Sequence, residues 1–236
     1  MSNRSIHDGH RGRLRERFLA EGLDNFTDVQ VLELLLFYCI PRQDTNALAH
    51  ELLRQFGSLS QVLETSVEGL KTVKGIGENA ATFLRLIPAV TRYYAVDRGM
   101  RNDAPLLTTE DVGKYLLGYF QGQSNETVYL LCLDAKCKPL CCPKIGEGSV
   151  NSAGVPVRRV VEAALSANAT SVVLAHNHPS GIALPSKEDI LTTRRVAAAL
   201  DAVEVTLADH LVVADGDFVS MLQSGYYRHN ECRIGF

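Results

Sequence analysis

The sequence lacks any hydrophobic run long enough to cross a membrane. Its best apolar stretch, Val31 to Ile40, is interrupted by Glu33 and Tyr38 and falls short of the roughly 18 residues a spanning helix needs. It also lacks a basic start followed by an apolar segment. The first twenty residues carry Arg4, Arg11, Arg13, Arg15 and Arg17, so no secretory signal is expected. The six cysteines include no Cys-x2-Cys pair and no small-domain spacing, which argues against a disulfide scaffold and for reduced thiols in a cytoplasm. Cys132, Cys137, Cys141 and Cys142 therefore read as small core residues rather than a second metal site. Internal repeats and low-complexity tracts are missing too. Net charge is only −3, from 24 basic against 27 acidic residues, so any nucleic-acid contact requires a local basic patch. What is present is ordinary globular usage, 46% hydrophobic and 22% charged over 236 residues, enough for one large domain or two modest ones.

The pattern changes near residue 100. From Arg11 to about Asp97 apolar residues recur at helical spacing, through Leu14, Phe18, Leu32, Leu36, Leu48 and Leu52, with Pro41, Gly57-Ser58 and Gly75 as breaks. This half is expected to be all-α, over residues 1–98. Residues 99–109, with Gly99, Asn102, Asp103 and Pro105, read as a linker. Beyond it, over residues 110–236, Thr127 to Leu133 reads as a strand and Cys137 to Pro143 as its hairpin partner. Val157 to Asn168 reads as a helix, Ser171 to Ala175 as a buried strand and Ser186 to Leu200 as a helix. Val203 to Leu207 and Leu211 to Ala214 read as two further strands. Alternating strands and helices make this a mixed α/β domain, and the whole chain an α+β multidomain protein.

The strongest local signal is His176-Asn177-His178-Pro179, followed seven residues past Pro179 by Ser186 and then Asp189. Side chains two apart on a strand share a face, so His176 and His178 reach one ion. Pro179-Ser180-Gly181 ends the strand, and the chain returns into a helix whose first turn holds Asp189. Two imidazoles and one carboxylate make an open divalent site with a position left for water, the arrangement of a catalytic rather than a structural zinc. Such an ion lowers the pKa of its water to about 7 and polarises a carbonyl. Ser186 stands where it can donate to a developing oxyanion, and a nearby carboxylate is needed as general base. A plainer reading exists for Ser186-x-x-Asp189, which also has the form of a helix capping box.

The spacing His176-x-His178-x7-Ser186-x2-Asp189 matches the JAMM (MPN+) motif of zinc-dependent metalloproteases. With the apolar lead-in Ser171 to Ala175, the run His176 to Gly181, Pro185-Ser186 and Asp209-His210-Leu211-Val212-Val213, the chain resembles the bacterial RadC family (UPF0758-like) over nearly its whole length. Gly148-Ser149-Val150-Asn151 and Pro156-x-Arg158 resemble it as well, although the family commonly has Pro-Arg-Glu where this chain has Pro156-Val157-Arg158. The resemblance implies a JAMM (MPN-like, cytidine-deaminase-like) fold, one zinc ion per chain, and hydrolysis of a peptide or isopeptide bond in a protein substrate. It also implies a glutamate on an early strand as proton shuttle. Glu126 is the preferred match, because a strand fixes a base better than a glycine-flanked loop, and Glu147 is its competitor. Asp209 and His210 are candidates to support a zinc histidine from behind.

In the helical half, Leu70-x-x-Val73-x-Gly75-Ile76-Gly77 with Ala80-Ala81 and Phe83-Leu84 has the form of a helix-hairpin-helix at about 68–86. Amides at the start of its second helix are suited to a DNA or RNA phosphate, with Lys71, Lys74, Gly75 and Gly77 as contact candidates. Glu78 opposes that charge, and a Gly-x-Gly turn is also a common purely structural joint. Arg11, Arg13, Arg15 and Arg17 form two basic stripes whose plainer reading is a solvated face paired with Glu16 and Glu21. The resemblance to the RadC family, which carries a label in DNA repair, implies one rival function, a repair- or recombination-associated protein whose metal acts on nucleic acid; the hairpin form leaves a second, a non-enzymatic DNA-binding module.

Overall fold

The computed structural model describes residues 6–41, 43–100, 104–123, 125–148 and 155–229. Ser149, Val150 and Asn151 of the expected loop motif lie outside them. The chain divides into two compact units, Met1–Thr91 and Arg92–Phe236.

The first unit is helical, as its period dictates. Helices α1 (Ile6–Glu21), α2 (Asp28–Cys39), α3 (Asn46–Phe56), α4 (Leu59–Glu64) and α5 (Val67–Leu70) lead into α6 (Glu78–Met100). Polar caps set the starts. Thr27 and Gln30 form a reciprocal capping box at α2, and Ser58 and Ser66 accept from backbone amides at α4 and α5. Leu32, Leu36, Leu52, Val62, Leu70 and Leu84 close the core. A buried carboxylate, Glu33, is satisfied by His10 at 3.0 Å and Asn46 at 3.1 Å. The expected linker at 99–109 opens inside α6, which runs to Met100 because the residues from Asp97 continue its last turn, where a glycine is tolerated. Residues 104–108 are neither helix nor strand, and α7 (Thr109–Phe120) starts on a Thr108–Asp111 capping box.

In the second unit α7 is followed by β1 (Thr127–Leu133), β2 (Pro139–Cys141), β3 (Lys144–Glu147), α8 (Val157–Ser166), β4 (Ser171–Asn177), α9 (Lys187–Asp201), β5 (Thr206–Ala214) and β6 (Asp217–Ser220). The sheet order is β2-β1-β4-β5-β6, with β3 also paired to β1. Only β4 and β5 run parallel, joined by the α9 crossover; the other pairs are antiparallel. Alternation along the central strands sorts side chains to two cores. Leu130, Val172, Leu174 and Val212 pack against α8 and α9 through Val160, Ala164, Val196 and Leu200. Tyr129, Leu131, Val173, Ala175 and Leu211 pack against α7 through Val112, Leu116 and Phe120. Both faces are covered, which is why β1 and β4 read as continuous apolar runs.

Two expected elements differ from those observed. Val203–Leu207 and Leu211–Ala214 are not two strands: β5 is continuous from Thr206 to Ala214, because the sheet satisfies the polar Asp209-His210 pair that suggested a break. The expected strand at Cys137 begins only at Pro139, since residues 134–138 form a turn, with Cys137 at φ 59° donating its amide to the Asp134 carbonyl. The strand Lys144–Glu147 was not expected at all, being too short for an alternation signal. Leu130 is fully buried in the α8/α9 core. Leu130→Ala is therefore expected to lower stability by about 2–5 kcal/mol, read as an earlier midpoint in urea unfolding.

Candidate metal centre

His176 has the parity of Val172 and Leu174, so the strand turns it toward α9, whose first turn carries Asp189. His178 follows two residues on. The His176 and His178 Nε2 atoms lie 3.0 Å apart. Asp189 Oδ1 is 3.2 Å from His176 Nε2, and Asp189 Oδ2 is 3.6 Å from His178 Nε2. A ligand atom of the half-buried Glu126, just ahead of β1, joins the two imidazoles with all three within 4.8 Å of one another.

The hydrogen bonds fix what these nitrogens are. His178 Nδ1 lies 2.9 Å from the Ile182 carbonyl, which only accepts, so Nδ1 donates and Nε2 is turned inward. For His176 the same result arrives through a relay. The fully buried Thr193 hydroxyl donates to the Asp189 carbonyl at 2.6 Å and so accepts from His210 Nδ1 at 2.6 Å. Burial and the neighbouring His176 push the His210 pKa well below the ordinary range, so its Nε2 is a free acceptor for His176 Nδ1–H at 2.8 Å. Two imidazole Nε2 atoms and a carboxylate therefore converge, a donor set that a divalent cation fits.

Asp189 serves twice, which removes the conflict between cap and ligand. Its Oδ2 accepts from the Ser186 amide and the Ser186 hydroxyl, both at 2.7 Å, while the hydroxyl accepts from the Asp189 amide at 3.1 Å. Oδ1 remains turned to His176. Burial opposes the charge on Asp189, but nearby His176 and the bonds from Ser186 outweigh it and hold the carboxyl below the usual range. Ser186 thus spends its hydroxyl proton on Asp189 in this arrangement.

Of the two expected supports, His210 touches His176 and Asp209 does not. Strand alternation points Asp209 away, and it instead accepts from its neighbour's amide at 2.7 Å, the Leu222 amide at 3.1 Å and the Ser220 hydroxyl at 2.5 Å. Burial raises its pKa despite those bonds. Glu147 stands apart from the cluster. Exposed on β3, it accepts from Asn125 at 3.0 Å and pairs with Lys144 at 2.5 Å, and the Asn125 and Lys144 bonds lower its pKa. Sequence reasoning missed Thr193; its i+4 spacing from Asp189 on a helix face was the available signal. Thr193→Val is expected to weaken divalent-metal affinity about 10–100-fold in chelator competition, with Thr193→Ser close to wild type, because a hydroxyl both meets His210 and donates to the Asp189 carbonyl.

Gly75 adopts φ 100°, where a Cβ would come within 2.8 Å of Leu48. Around Gly77 there is open space. The preceding helix α5 is only four residues long. Lys71 is held by Glu78 at 2.7 Å and Glu68 at 3.2 Å, so its charge is largely cancelled locally, while Lys74 is exposed. In α1, Arg11 stacks on Phe37 and binds the Ile40 and Gln43 carbonyls, and Arg17 stacks on Phe26. Both are occupied in packing.

The RadC-like JAB domain pattern matches residues 106–226, and the UPF0758 N-terminal pattern matches residues 9–82. UPF0758 protein FN0909 of Fusobacterium nucleatum is 33% identical over 226 residues, spanning 93% of this chain and 97% of its own. UPF0758 protein SPO0054 of Ruegeria pomeroyi is 36% identical over 217 residues, spanning 92% and 96%.

Proposed function

Starting from the fact that the chain belongs to the UPF0758 family and carries its RadC-like JAB domain, we propose that it is a zinc metallohydrolase that cuts a peptide or isopeptide bond. The observation that carries this reading is the convergence of two imidazole nitrogens, 3.0 Å apart, with the Asp189 and Glu126 carboxylates beside them. His176, His178 and Asp189 are the three ligands in this proposal. Zinc suits a mixed imidazole–carboxylate set, and three protein ligands leave one position for chemistry. When bound, the ion supplies Lewis acidity, polarising the scissile carbonyl and acidifying water.

The chain's own groups do the rest. Glu126 takes the proton of the attacking water as the new C–O bond forms, then delivers it to the amine nitrogen as the C–N bond breaks. Ser186 is assigned the oxyanion contact. Its hydroxyl turns from Asp189 Oδ2 to do this, and the Ser186 amide keeps that oxygen satisfied meanwhile. A phosphodiester substrate is the weaker reading, since that chemistry favours a metal pair about 3.5–4 Å apart and this cluster offers ligands for one ion. The paired state of Lys71 likewise gives little support to a nucleic-acid contact through the hairpin. No helix among the described residues is long and apolar enough to cross a membrane, and the described cysteines form no disulfide; the cytoplasmic setting is part of the proposal.

The test compares cells making wild-type protein with cells making Glu126→Gln, by mass spectrometry of co-purifying proteins and of new peptide termini. Proteins retained only by the variant, with matching termini made only by the wild type, are the expected result. Zinc-dependent DNA cleavage that the same substitution abolishes, without any peptide product, would overturn the reading.

A further inference from the structure

We propose that Asn177 is a positioning residue for Glu126: one buried carboxamide clips the backbone on both sides of the proposed base to the strand that carries the histidines. The inference rests on the reading of Glu126 given above.

The antiparallel ladder between β1 and β4 runs regularly from Leu133↔Ser171 to Val128↔His176. At its open end a side chain replaces the main chain. Thr127 donates its amide to Asn177 Oδ1 at 2.8 Å, and Asn177 Nδ2 donates to the Asn125 carbonyl at 3.1 Å. A backbone amide is an obligate donor and a carbonyl an obligate acceptor, so the orientation of the carboxamide is fixed. Residues 125 and 127 are thereby pinned, and residue 126 between them is pinned with them. The Glu126 carbonyl is held separately, accepting from the Gly148 amide at 2.9 Å. Meanwhile the main chain of β4 turns to its other neighbour, with the His178 amide donating to Val213 at 2.8 Å.

This arrangement answers a problem the topology creates. Glu126 precedes the first residue of β1, where a strand end would fray and a base would wander. General-base chemistry needs its position held to a fraction of an ångström. Asn177 sits between the two histidines in sequence, so the same strand end sets the imidazoles and, through one side chain, the carboxylate. Asparagine alone among residues of its size presents an acceptor and a donor in the geometry of a peptide group.

The test uses intact protein loaded with cobalt, which reports spectroscopically on a site where zinc is silent, and reads the pH midpoint of its visible spectrum. Glu126→Gln is expected to move the alkaline step to lower pH by about one unit, because a neighbouring carboxylate opposes a second negative charge. Asn177→Ala should move it the same way, and should add nothing in the Glu126→Gln background, since it acts only through that carboxylate. Asn177→Leu keeps roughly the size, makes neither bond and adds no charge; it stands in for the alanine variant should that fail to fold. Additive shifts, or an unmoved midpoint in a folded Asn177 variant, would overturn the proposal. So would loss of cobalt binding in the folded Asn177 variants, for the amide would then serve the ligands. If Glu126→Gln itself leaves the midpoint in place, the assignment of Glu126 fails first and the clip has nothing to position.

Discussion

Alanine at position 178 is expected to abolish zinc binding while leaving the fold intact. Wild-type protein should carry about one zinc per chain by elemental analysis, and His178→Ala essentially none, because two remaining ligands do not hold a hydrolytic ion. The imidazole sits at the end of β4, half-buried and bonded only to Ile182 outside the cluster, so its removal opens no core. Circular dichroism should be unchanged. Thermal unfolding gives a second readout. Zinc at a hundred times its Kd stabilises a folded protein by about 2.7 kcal/mol, and that increment should vanish in the variant. Full zinc occupancy in a His176→Ala/Asp189→Ala double variant would remove the assignment altogether.

Glu126→Gln is expected to keep its zinc and lose turnover by a factor of about 10²–10⁴, the usual weight of a positioned general base. The substitution preserves size and removes only the capacity to take a proton. Glu147→Gln is the control. Its carboxylate is exposed, engaged by Asn125 and Lys144, and outside the cluster, so turnover should stay within a factor of two or so of wild type. Kinetics of the zinc-loaded variants on the trapped substrate, with zinc content measured on the same samples, decide between them. An active Glu126→Gln beside an inactive Glu147→Gln would transfer the role.

Much of the site was open to inspection in the sequence because its chemistry is local. His176, His178, Ser186 and Asp189 lie within fourteen positions on one strand–loop–helix return, and the periods of strand and helix decide which of them face one another. The capping pattern was equally local; what was not visible is that cap and ligand coexist, since that depends on one carboxylate presenting two oxygens to different partners. Helices with strong apolar period, such as α3 and α9, were also recovered. Short or polar strands were not: β3 has too few residues to alternate, and Asp209-His210 interrupts the apolar pattern of β5 without interrupting its hydrogen bonds.

By itself, then, the sequence determined the two-part organisation, the helical first half, and the three ligand candidates, because each follows from spacing along a single element. Only the tertiary structure decided the contacts across elements. Register between β1 and β4 brings Glu126 to the histidines and leaves Glu147 out, a choice the sequence left open. Packing of α9 against β5 joins Thr193 to His210, and so orients the His176 ring, through residues 17 and 34 positions apart. The Asn177 clip spans 50 positions to Thr127. Contacts at such separations depend on which strands pair and in what register, and that is set by the burial of whole apolar faces rather than by the residues that meet.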